Sequence, residues 1–387
     1  MNNSVNIENT DLTWNTEITI SELLSAIQEG NAISKMNDVE KFELELNGGI
    51  NLCKQTISQL EAKNSDTAAI ERFKKLLEQL QSRLAKFNYP DIRQGTATNK
   101  LAKINSRKSK SLKVDDITGV AKITRGDYSV SIKNFKEVAG LRTSTQKLLD
   151  ALMIEFTETG AKDTRITLPL KKYMELRGLT SEKSARKHVE EDLETLYNIS
   201  ISGKQKLKNG QSLNFLDMRL VIDKGIKNGV IQCTFHPDFY NHMKNCPIMP
   251  YHRKLLAIDD KEYKHAYYFH RQLLEHVNMN YGEANQNIIS VATLLAAAPE
   301  MPSYEDIEKG GRHYRQQIIE PFDDNMNKLE ELGLIKWEYC NSNGMPLTDN
   351  DLNMKFDTFS KLLIKFELTD YPRREIEAPK KQAKKNT

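Results

Sequence analysis

One order of predicted elements occurs twice in this 387-residue chain, and it constrains the fold more than any other feature. The first copy has three helical segments, with a short strand after the first helix, and then alternating strands joined by glycine-containing turns. The second copy repeats the three helices and ends in one hairpin. The segments of the first copy are "STQKLLDALMIEFTETG", "RITL", "PLKKYMELRG", "TSEKSARKHVEEDLETL", "ISISGKQKL", "LNFLDMRLVI" and "VIQCTF", and those of the second are "DDKEYKHAYYFHRQLLEHV", "SVATLLAAA", "RHYRQQIIEPFDDNMNKLEELG", "LIKWEYC" and "FSKLLIKFEL".

Sequence identity between the two copies is negligible, so the repeat is one of architecture. Three helices, of which the last two form a helix-turn-helix, followed by a β-hairpin are typical of a winged helix. The chain is therefore predicted to be α+β and mostly helical, with tandem winged-helix domains at residues 116–250 and 251–372. Pro321 lies inside a continuous apolar stripe of the last long helix, which predicts a kink there and not the end of the helix.

The third helix of each copy has its charges reversed relative to the helix dipole. In the segment Thr180–Leu196 the bases Lys183, Arg186 and Lys187 come first and four acids follow, whereas a helix dipole favours acids at the start and bases at the end. One explanation is ordinary surface pairing of Arg186 with Glu190 and of Lys187 with Glu191, but this orientation contributes only about 0.2–0.5 kcal/mol per pair. We favour the other explanation, which is contact with phosphates and guanine edges in a DNA major groove.

The helix starts and one hairpin turn supply the candidate DNA-binding residues. Arginine and glutamine suit base edges, whereas lysine suits phosphate positioning. The turn "GKQKLKNG" is predicted to be the wing, for which a simply solvated hairpin tip is the alternative. The candidates are Lys183, Ser184, Arg186 and Lys187 in the first copy, Lys204, Lys206 and Lys208 in the wing, and Arg312, His313, Arg315 and Gln316 in the second copy.

The first 95 residues differ from the rest, because they contain two apolar stripes with the 3,4 spacing of a helical seam. A turn at "KNSD" separates the stripes, so residues 1–95 are predicted to form a helical hairpin that packs on itself or on a second copy in a homodimer. Residues 96–115 are basic and poor in large apolar side chains, which predicts a flexible linker, either a solvated spacer or a phosphate contact. A basic disordered tail is expected at 373–387.

Four segments resemble the replication initiator proteins of bacterial plasmids and related mobile elements. They are "LPLKKYMELRGL", "ARKHVEEDLETLYNISIS", "GIKNGVIQCTFHPDFY" and "QQIIEPFDDNMNKLEELGLIKWEYCNSNGMPLTDND". The similarity covers roughly residues 120–372 and rests on extended stretches, not on a catalytic motif. It implies two winged-helix domains, binding to repeated double-stranded origin sites, local strand opening and recruitment of host replication proteins such as a helicase or its loader.

Composition and missing motifs narrow the function further. The net charge is only +3, so any DNA-binding patch is local. The chain has no long apolar run and no signal-peptide pattern at its start, and its four cysteines are scattered, so we expect a cytoplasmic protein that does not enter a membrane. It has neither a His-x-His pair nor a phosphate-binding loop, so we expect no enzyme activity, catalytic residue or cofactor.

Two other patterns in the sequence have alternative explanations. Cys233, His236, His242 and Cys246 could be zinc ligands, but their spacing is loose, and we expect a buried thiol with surface histidines and no metal site. The run from Tyr267 to Phe269 could stack on melted bases, but core packing is favoured. A transcriptional regulator, a phage replisome organiser and a non-DNA adaptor on winged helices are the functional alternatives. Tandem repeats beside an AT-rich tract in the neighbouring DNA would favour the initiator.

Overall fold

The computed structural model divides the chain into two compact units, Met1–Phe87 and Asn88–Thr387. The unit boundary therefore lies eight residues before the position 95 that the sequence predicted. The residues that the structure describes are 38–62, 67–103, 112–125, 128–137, 141–206, 212–302, 307, 313–341, 343–347 and 356–372. The predicted disordered tail at 373–387 and the "KNSD" turn lie outside the described residues.

The first unit contains two long helices, α1 (Asp38–Ala62) and α2 (Thr67–Asn88). Their apolar stripes pack against each other around a core of Leu46, Ile50, Cys53 and Leu80. The prediction that the two helices pack on each other is thus confirmed, and burying these apolar stripes against each other removes them from water. Pairing with a second copy stays a prediction.

The second unit contains the remaining helices and all strands of the described residues. Its helices are α3 (Thr96–Ala102), α4 (Thr143–Glu158), α5 (Leu170–Arg177), α6 (Glu182–Asn198), α7 (Pro237–Lys244), α8 (Ala266–Met279), α9 (Val291–Ala297), α10 (Glu320–Glu331) and α11 (Phe356–Phe359). Its strands are β1 (Asp91–Arg93), β2 (Leu112–Asp115), β3 (Val120–Arg125), β4 (Tyr128–Ile132), β5 (Arg165–Pro169), β6 (Ile199–Lys206), β7 (Ser212–Arg219), β8 (Val221–Lys227), β9 (Val230–Phe235), β10 (Ile248–Pro250), β11 (Ile288–Ser290), β12 (Ile335–Cys340) and β13 (Leu363–Leu368). The α+β class predicted from the sequence is confirmed.

Two three-stranded antiparallel sheets have the same order. One is β5–β9–β8 and the other is β11–β13–β12, so in each the first strand of the copy pairs with the last. In each copy the first strand directly precedes the second helix, and the two remaining strands follow the third helix. The architectural repeat read from the sequence is therefore present, although the two copies share no obvious residue pattern.

The hairpin that follows α6 belongs to a different sheet from the one expected. Strands β6 and β7 join β2, β3 and β4 in a five-stranded antiparallel sheet of order β2–β3–β4–β6–β7. The predicted single strand "LNFLDMRLVI" is broken, with β7 ending at Arg219 and β8 beginning at Val221. Leu220 and Val221 are both fully buried. Two consecutive buried side chains break the alternation of a strand with one open face, so the chain leaves one sheet for the other.

The segment 96–115 is a correction to the predicted flexible linker. Its first residues form α3 and its last form β2, while residues 104–111 lie outside the described residues. Leu101 is buried in the core at 1% exposure, and the Thr98 hydroxyl and Gly95 exchange two hydrogen bonds of 3.0 Å. One well-placed leucine anchors a segment whose average composition is that of a linker.

The long helix after α9 continues through Pro321 as predicted, but a π-helix precedes the proline. Residues Arg315–Ile319 are π-helical, with the backbone N–H of Glu320 donating to the carbonyl of Arg315, and α10 follows directly. Proline supplies no N–H and its ring crowds the carbonyl four residues earlier, so an ordinary α-turn is unfavourable there. The expected core packing of Tyr267, Tyr268 and Phe269 is confirmed, because all three are at most 2% exposed.

Candidate nucleic-acid interface

The start of α6 presents an open face. Ser181 caps the helix, its hydroxyl accepting the backbone N–H of Ser184 at 3.4 Å, as expected of a serine N-cap. Ala185 and Val189 are buried, so this helix packs on the core through the face that carries them. The opposite face of the first two turns is solvent-exposed and carries Lys183, Ser184, Lys187 and His188, the last of which the sequence analysis did not single out.

The cations of this face do not form the surface ion pairs with later acids that would explain the reversed charges of the helix. Arg186 forms an ion pair of 3.1 Å with Glu182, the residue four positions earlier. The pairs considered from the sequence, of Arg186 with Glu190 and of Lys187 with Glu191, do not occur. Lys183 and Lys187 have no acidic partner within the part of the chain that the structure describes. These two lysines therefore offer uncompensated positive charge at the helix start.

The acids in the second half of α6 have structural partners instead. Asp192 is buried and accepts hydrogen bonds from Arg142 at 3.0 Å, from the Thr145 hydroxyl at 2.6 Å and from the Ser144 hydroxyl at 3.2 Å. Arg142 also reaches Glu191 at 2.9 Å. Ser144 and Thr145 lie in the first turn of α4, so Asp192 places a carboxylate at the N-terminal end of that helix, where the dipole favours it. Burial raises the pKa of Asp192, and Arg142 and the two hydroxyls oppose that rise.

Glu194 and Tyr197 fix the end of α6 to β8. Lys224 of β8 forms an ion pair with Glu194. The cations of Lys224 and Arg219 each lie 5.4 Å from the centroid of the Tyr197 ring, within the range of cation–π attraction. The helix thus has a structural acidic half and an exposed basic half, which accounts for its reversed charges without any surface pair between the two halves.

The structure corrects the predicted wing. Lys204 and Lys206 lie on β6, in the five-stranded sheet, and Lys208 lies outside the described residues. The turn that closes the three-stranded sheet is at Lys227–Val230, between β8 and β9. Asn228 and Gly229 have φ of 51° and 72°, as the tightest hairpin turns require. The tripeptide "KNG" occurs at both turns, so turn chemistry alone could not tell them apart.

The β8–β9 turn lies beside the second helix of the same copy. The carbonyl of Gly229 accepts the backbone N–H of Leu170, the first residue of α5, at 2.8 Å. Lys227 and Asn228 at the turn and Lys171 on α5 are exposed. A basic turn and a basic helix start therefore lie together at one end of the three-stranded sheet. The segment "GIKNGV" carries the turn signal for this hairpin, but "LKNGQ" has the same "KNG" tripeptide.

The start of the third helix in the second copy is only partly described. Arg312 lies outside the described residues, whereas His313, Arg315 and Gln316 are exposed. Arg315 forms an ion pair of 3.5 Å with Glu320, with 69% of its own side chain exposed. Because Arg315 and Gln316 belong to the π-helical turn, their spacing on the helix surface differs from that of an α-helix.

The four candidate zinc ligands differ from the expected buried thiol with surface histidines, because Cys233, Cys246 and His242 are all buried. Burial raises the pKa of Cys233 to about 12 and that of Cys246 to about 11, so both thiols stay protonated at neutral pH. His236 caps α7, its Nδ1 accepting the backbone N–H of Asp238 at 3.2 Å. Among the described residues, no group of three or more His, Cys, Asp or Glu side chains is placed to hold a metal ion.

Comparisons with known proteins give a limited result. No protein-family model and no curated protein matches the chain. A crystal structure of selenomethionine derivatives of domains 2 and 3 of RctB aligns with 70% of this chain and 98% of its own, at 9% identity and a TM-score of 0.38. A second structure of RctB domains 2–3 aligns with 70% and 96% at 10% identity and a TM-score of 0.37. TM-scores this low do not assign a function.

Within the described ranges, no helix combines the length and the apolar character needed to cross a bilayer.

Proposed function

We propose that this chain is a non-enzymatic replication initiator that binds repeated sites in double-stranded origin DNA through two winged-helix domains. In this proposal it promotes local strand opening and recruits host replication proteins such as a helicase or its loader. The observation that carries the proposal is the open start of α6, where Lys183 and Lys187 are exposed and have no acidic partner among the described residues. The sequence resemblance to plasmid initiators supports the replication role.

The charge distribution of α6 favours a polyanionic ligand. A base at a helix start opposes the dipole by about 0.3–1 kcal/mol, and no described acid offsets that cost for these two lysines. Phosphates of a duplex would offset it, because each neutralised phosphate also releases counterions. The exposed Ser184 and His188 add hydrogen-bonding groups to the same face, of the kinds that contact phosphates and base edges.

In this proposal the first copy mainly contacts phosphates and the second copy reads base edges. The start of α6 and the β8–β9 turn supply mainly lysines, which suit phosphate positioning. His313, Arg315 and Gln316 of the second copy suit base readout, since arginine binds guanine and glutamine binds adenine through two hydrogen bonds each. Arg315 must exchange its ion pair with Glu320 for a base, and the exposure of both side chains makes that exchange inexpensive.

The test uses the DNA that flanks the coding gene, with a scrambled duplex of the same composition as the control. We expect footprints at tandem repeats on the flanking DNA, permanganate reactivity of thymines in an adjacent AT-rich tract, and replication of a circle that carries the gene and its flanks. Lys183→Gln combined with Lys187→Gln should abolish all three. Footprints without strand opening or replication would instead indicate a transcriptional regulator, and equal affinity for both duplexes would remove the claim of sequence specificity.

A further inference from the structure

The five-stranded sheet has one buried face and one polar face. The side chains that point to the core are Ala121, Ile123, Val130, Ile132, Ile199 and Ile201, all at most 1% exposed. The residues that alternate with them face the other way and include Lys122, Thr124, Ser129, Ser131 and Ser202. Ser200 has the same orientation but is buried at 2% exposure. A sheet that packs on the core through one face only usually shows such alternation, and apart from Val120 the described residues of the other face on these three strands carry hydroxyls or a cation.

Three cations and two hydroxyls form one row straight across all five strands. Strand pairing places Lys113 opposite Lys122, Lys122 opposite Ser131, Ser131 opposite Ser200, and Ser200 opposite Arg219. We call these five residues the cationic row. A parallel line of hydroxyls, Thr124, Ser129 and Ser202, lies beside it.

The row contains a repulsion that the fold does not relieve. Like charges directly opposite each other in a sheet are destabilising, and Lys113 and Lys122 are both exposed and directly paired. Within the described residues neither lysine, nor Arg219, forms an ion pair with a carboxylate, and Arg219 lies over the Tyr197 ring instead. An external anion would relieve the repulsion.

The acids nearest to the row are engaged in local hydrogen bonds. Asp217 accepts a hydrogen bond from the Ser200 hydroxyl, and its own backbone N–H donates to the Ser202 hydroxyl at 2.8 Å. Asp115 accepts the backbone N–H groups of Ile117 and Thr118 at 2.9 and 3.3 Å, within its own turn. They reduce the net positive charge of the face but do not pair with its cations.

We propose that the cationic row is a second contact surface for the phosphate backbone of duplex DNA, separate from the start of α6. Five strands spaced about 4.8 Å apart give the row a length of about 19 Å, enough for several consecutive phosphates of one strand. Lysine, arginine and serine side chains are the usual phosphate ligands in DNA complexes, and the row offers Lys113, Lys122, Ser131 and Arg219 for that role, since Ser200 is buried and donates to Asp217. The six open-face residues and the row include no aromatic side chain on which a base could stack, which favours a duplex over a single strand.

The position of the row in the fold determines which part of a bound duplex it would contact. Strand β6 begins directly after α6, so Ser200 lies next to the C-terminal end of that helix. The 17 residues of α6 span about 25 Å at 1.5 Å per residue. Lys183 and Lys187 lie at the opposite end, so the row contacts DNA that is separate from the site at the helix start. On one duplex that separation corresponds to about seven base pairs. This inference rests on the proposed function, since it extends the same DNA complex.

The test measures affinity against salt for the full chain on random-sequence duplexes of 14 and 40 base pairs and on a 40-nucleotide oligo-dT strand. Lys113→Gln combined with Lys122→Gln should reduce the salt slope on the 40-base-pair duplex by about 1.8, at about 0.9 per phosphate contact. The matched control is Lys162→Gln combined with Lys264→Gln, since both lysines are exposed and have no ion pair among the described residues.

The outcomes separate this inference from the proposed function. If the row variant behaves like the control on the long duplex while Lys187→Gln weakens binding to both duplexes, the row is not a DNA contact and the proposed function stands. If the row variant loses binding only to oligo-dT, the assignment to duplex DNA is overturned. If the unaltered chain binds no duplex, the proposed function fails and the inference fails with it. Unchanged thermal unfolding of the row variant confirms that both lysines are dispensable for folding.

Discussion

Replacing Asp192 by alanine should destabilise the protein strongly, because the carboxylate is buried and has three hydrogen-bond donors. Removing one partner of a buried ion pair costs about 3–5 kcal/mol. Arg142 keeps Glu191 as a partner and 22% of its own side chain is exposed. The cost of leaving Arg142 without Asp192 should therefore lie near the lower end of that range. The Thr145 hydroxyl, which is fully buried, loses its acceptor at a further cost of about 1 kcal/mol. We therefore expect a loss of about 3–4 kcal/mol.

Glu190→Ala is the matched control, because it removes the same charge from the same helix at an exposed position with no ion pair among the described residues. It should change the free energy of unfolding by no more than about 0.5 kcal/mol. Urea unfolding followed by circular dichroism measures both variants, and Lys187→Gln completes the set. That variant should unfold like the unaltered protein but bind DNA more weakly. If Lys187→Gln destabilised the fold, or if Asp192→Ala unfolded like Glu190→Ala, the division of α6 into structural and binding halves would be wrong.

Three further predictions concern other parts of the second unit. Burial lowers the pKa of His270 to about 3, so only the unfolded state takes up its proton below about pH 6.5, and stability should fall as the pH drops from there toward 3. At pH 5 the loss of unfolding free energy amounts to about 2 kcal/mol. His270→Phe should remove that part of the loss when urea titrations at pH 7 and pH 5 are compared, and an equal loss in the variant would contradict burial of the ring. Lys227→Gln should weaken binding to specific and scrambled duplexes alike and flatten the salt slope by about one, whereas Lys162→Gln should not; a loss confined to the specific duplex would contradict phosphate contact. A chain that begins at Asn88 should stay folded, whereas one that begins at Val114 should not, because it lacks the buried Tyr89, Ile92 and Leu101; equal melting temperatures of the two chains would refute this.

The helices were predictable from the sequence because their apolar stripes have a period that only a helix satisfies. The arrangement of the sheets was harder to predict, because the alternation within one strand does not show which other strand it pairs with. The register of β6 and β7 with β2, β3 and β4 depends on pairing across 67 or more residues, for example between Ile132 and Ile199. The adjacent Leu220 and Val221 did mark the break between β7 and β8, but two neighbouring apolar residues in a strand are too common to be decisive.

The candidate site was predictable only where it depends on local sequence. The basic start of α6 could be read directly, because exposure of Lys183 and Lys187 follows from the helical position of Ala185 and Val189. The partners of the acids could not, since Arg142 contacts Asp192 from 50 residues away. The wing depended on two identical "KNG" turns, and only the sheet to which each belongs separates them. The cationic row required the register of five strands.

The charge polarity of a helix therefore has to be interpreted with its partners in the fold. Considered alone, the bases near the start of α6 and the acids near its end oppose the helix dipole, at a cost of about 0.3–1 kcal/mol for each end. The acidic end is compensated inside the protein, because Asp192 binds Arg142 and lies at the N-terminal end of α4, where that helix's dipole favours a carboxylate. At the basic end Arg186 pairs with Glu182, but Lys183 and Lys187 have no ion pair among the described residues, and neither have the lysines of the cationic row. A polyanion would relieve the charge repulsion at both exposed places, so under the proposed function both should lose it in the DNA complex.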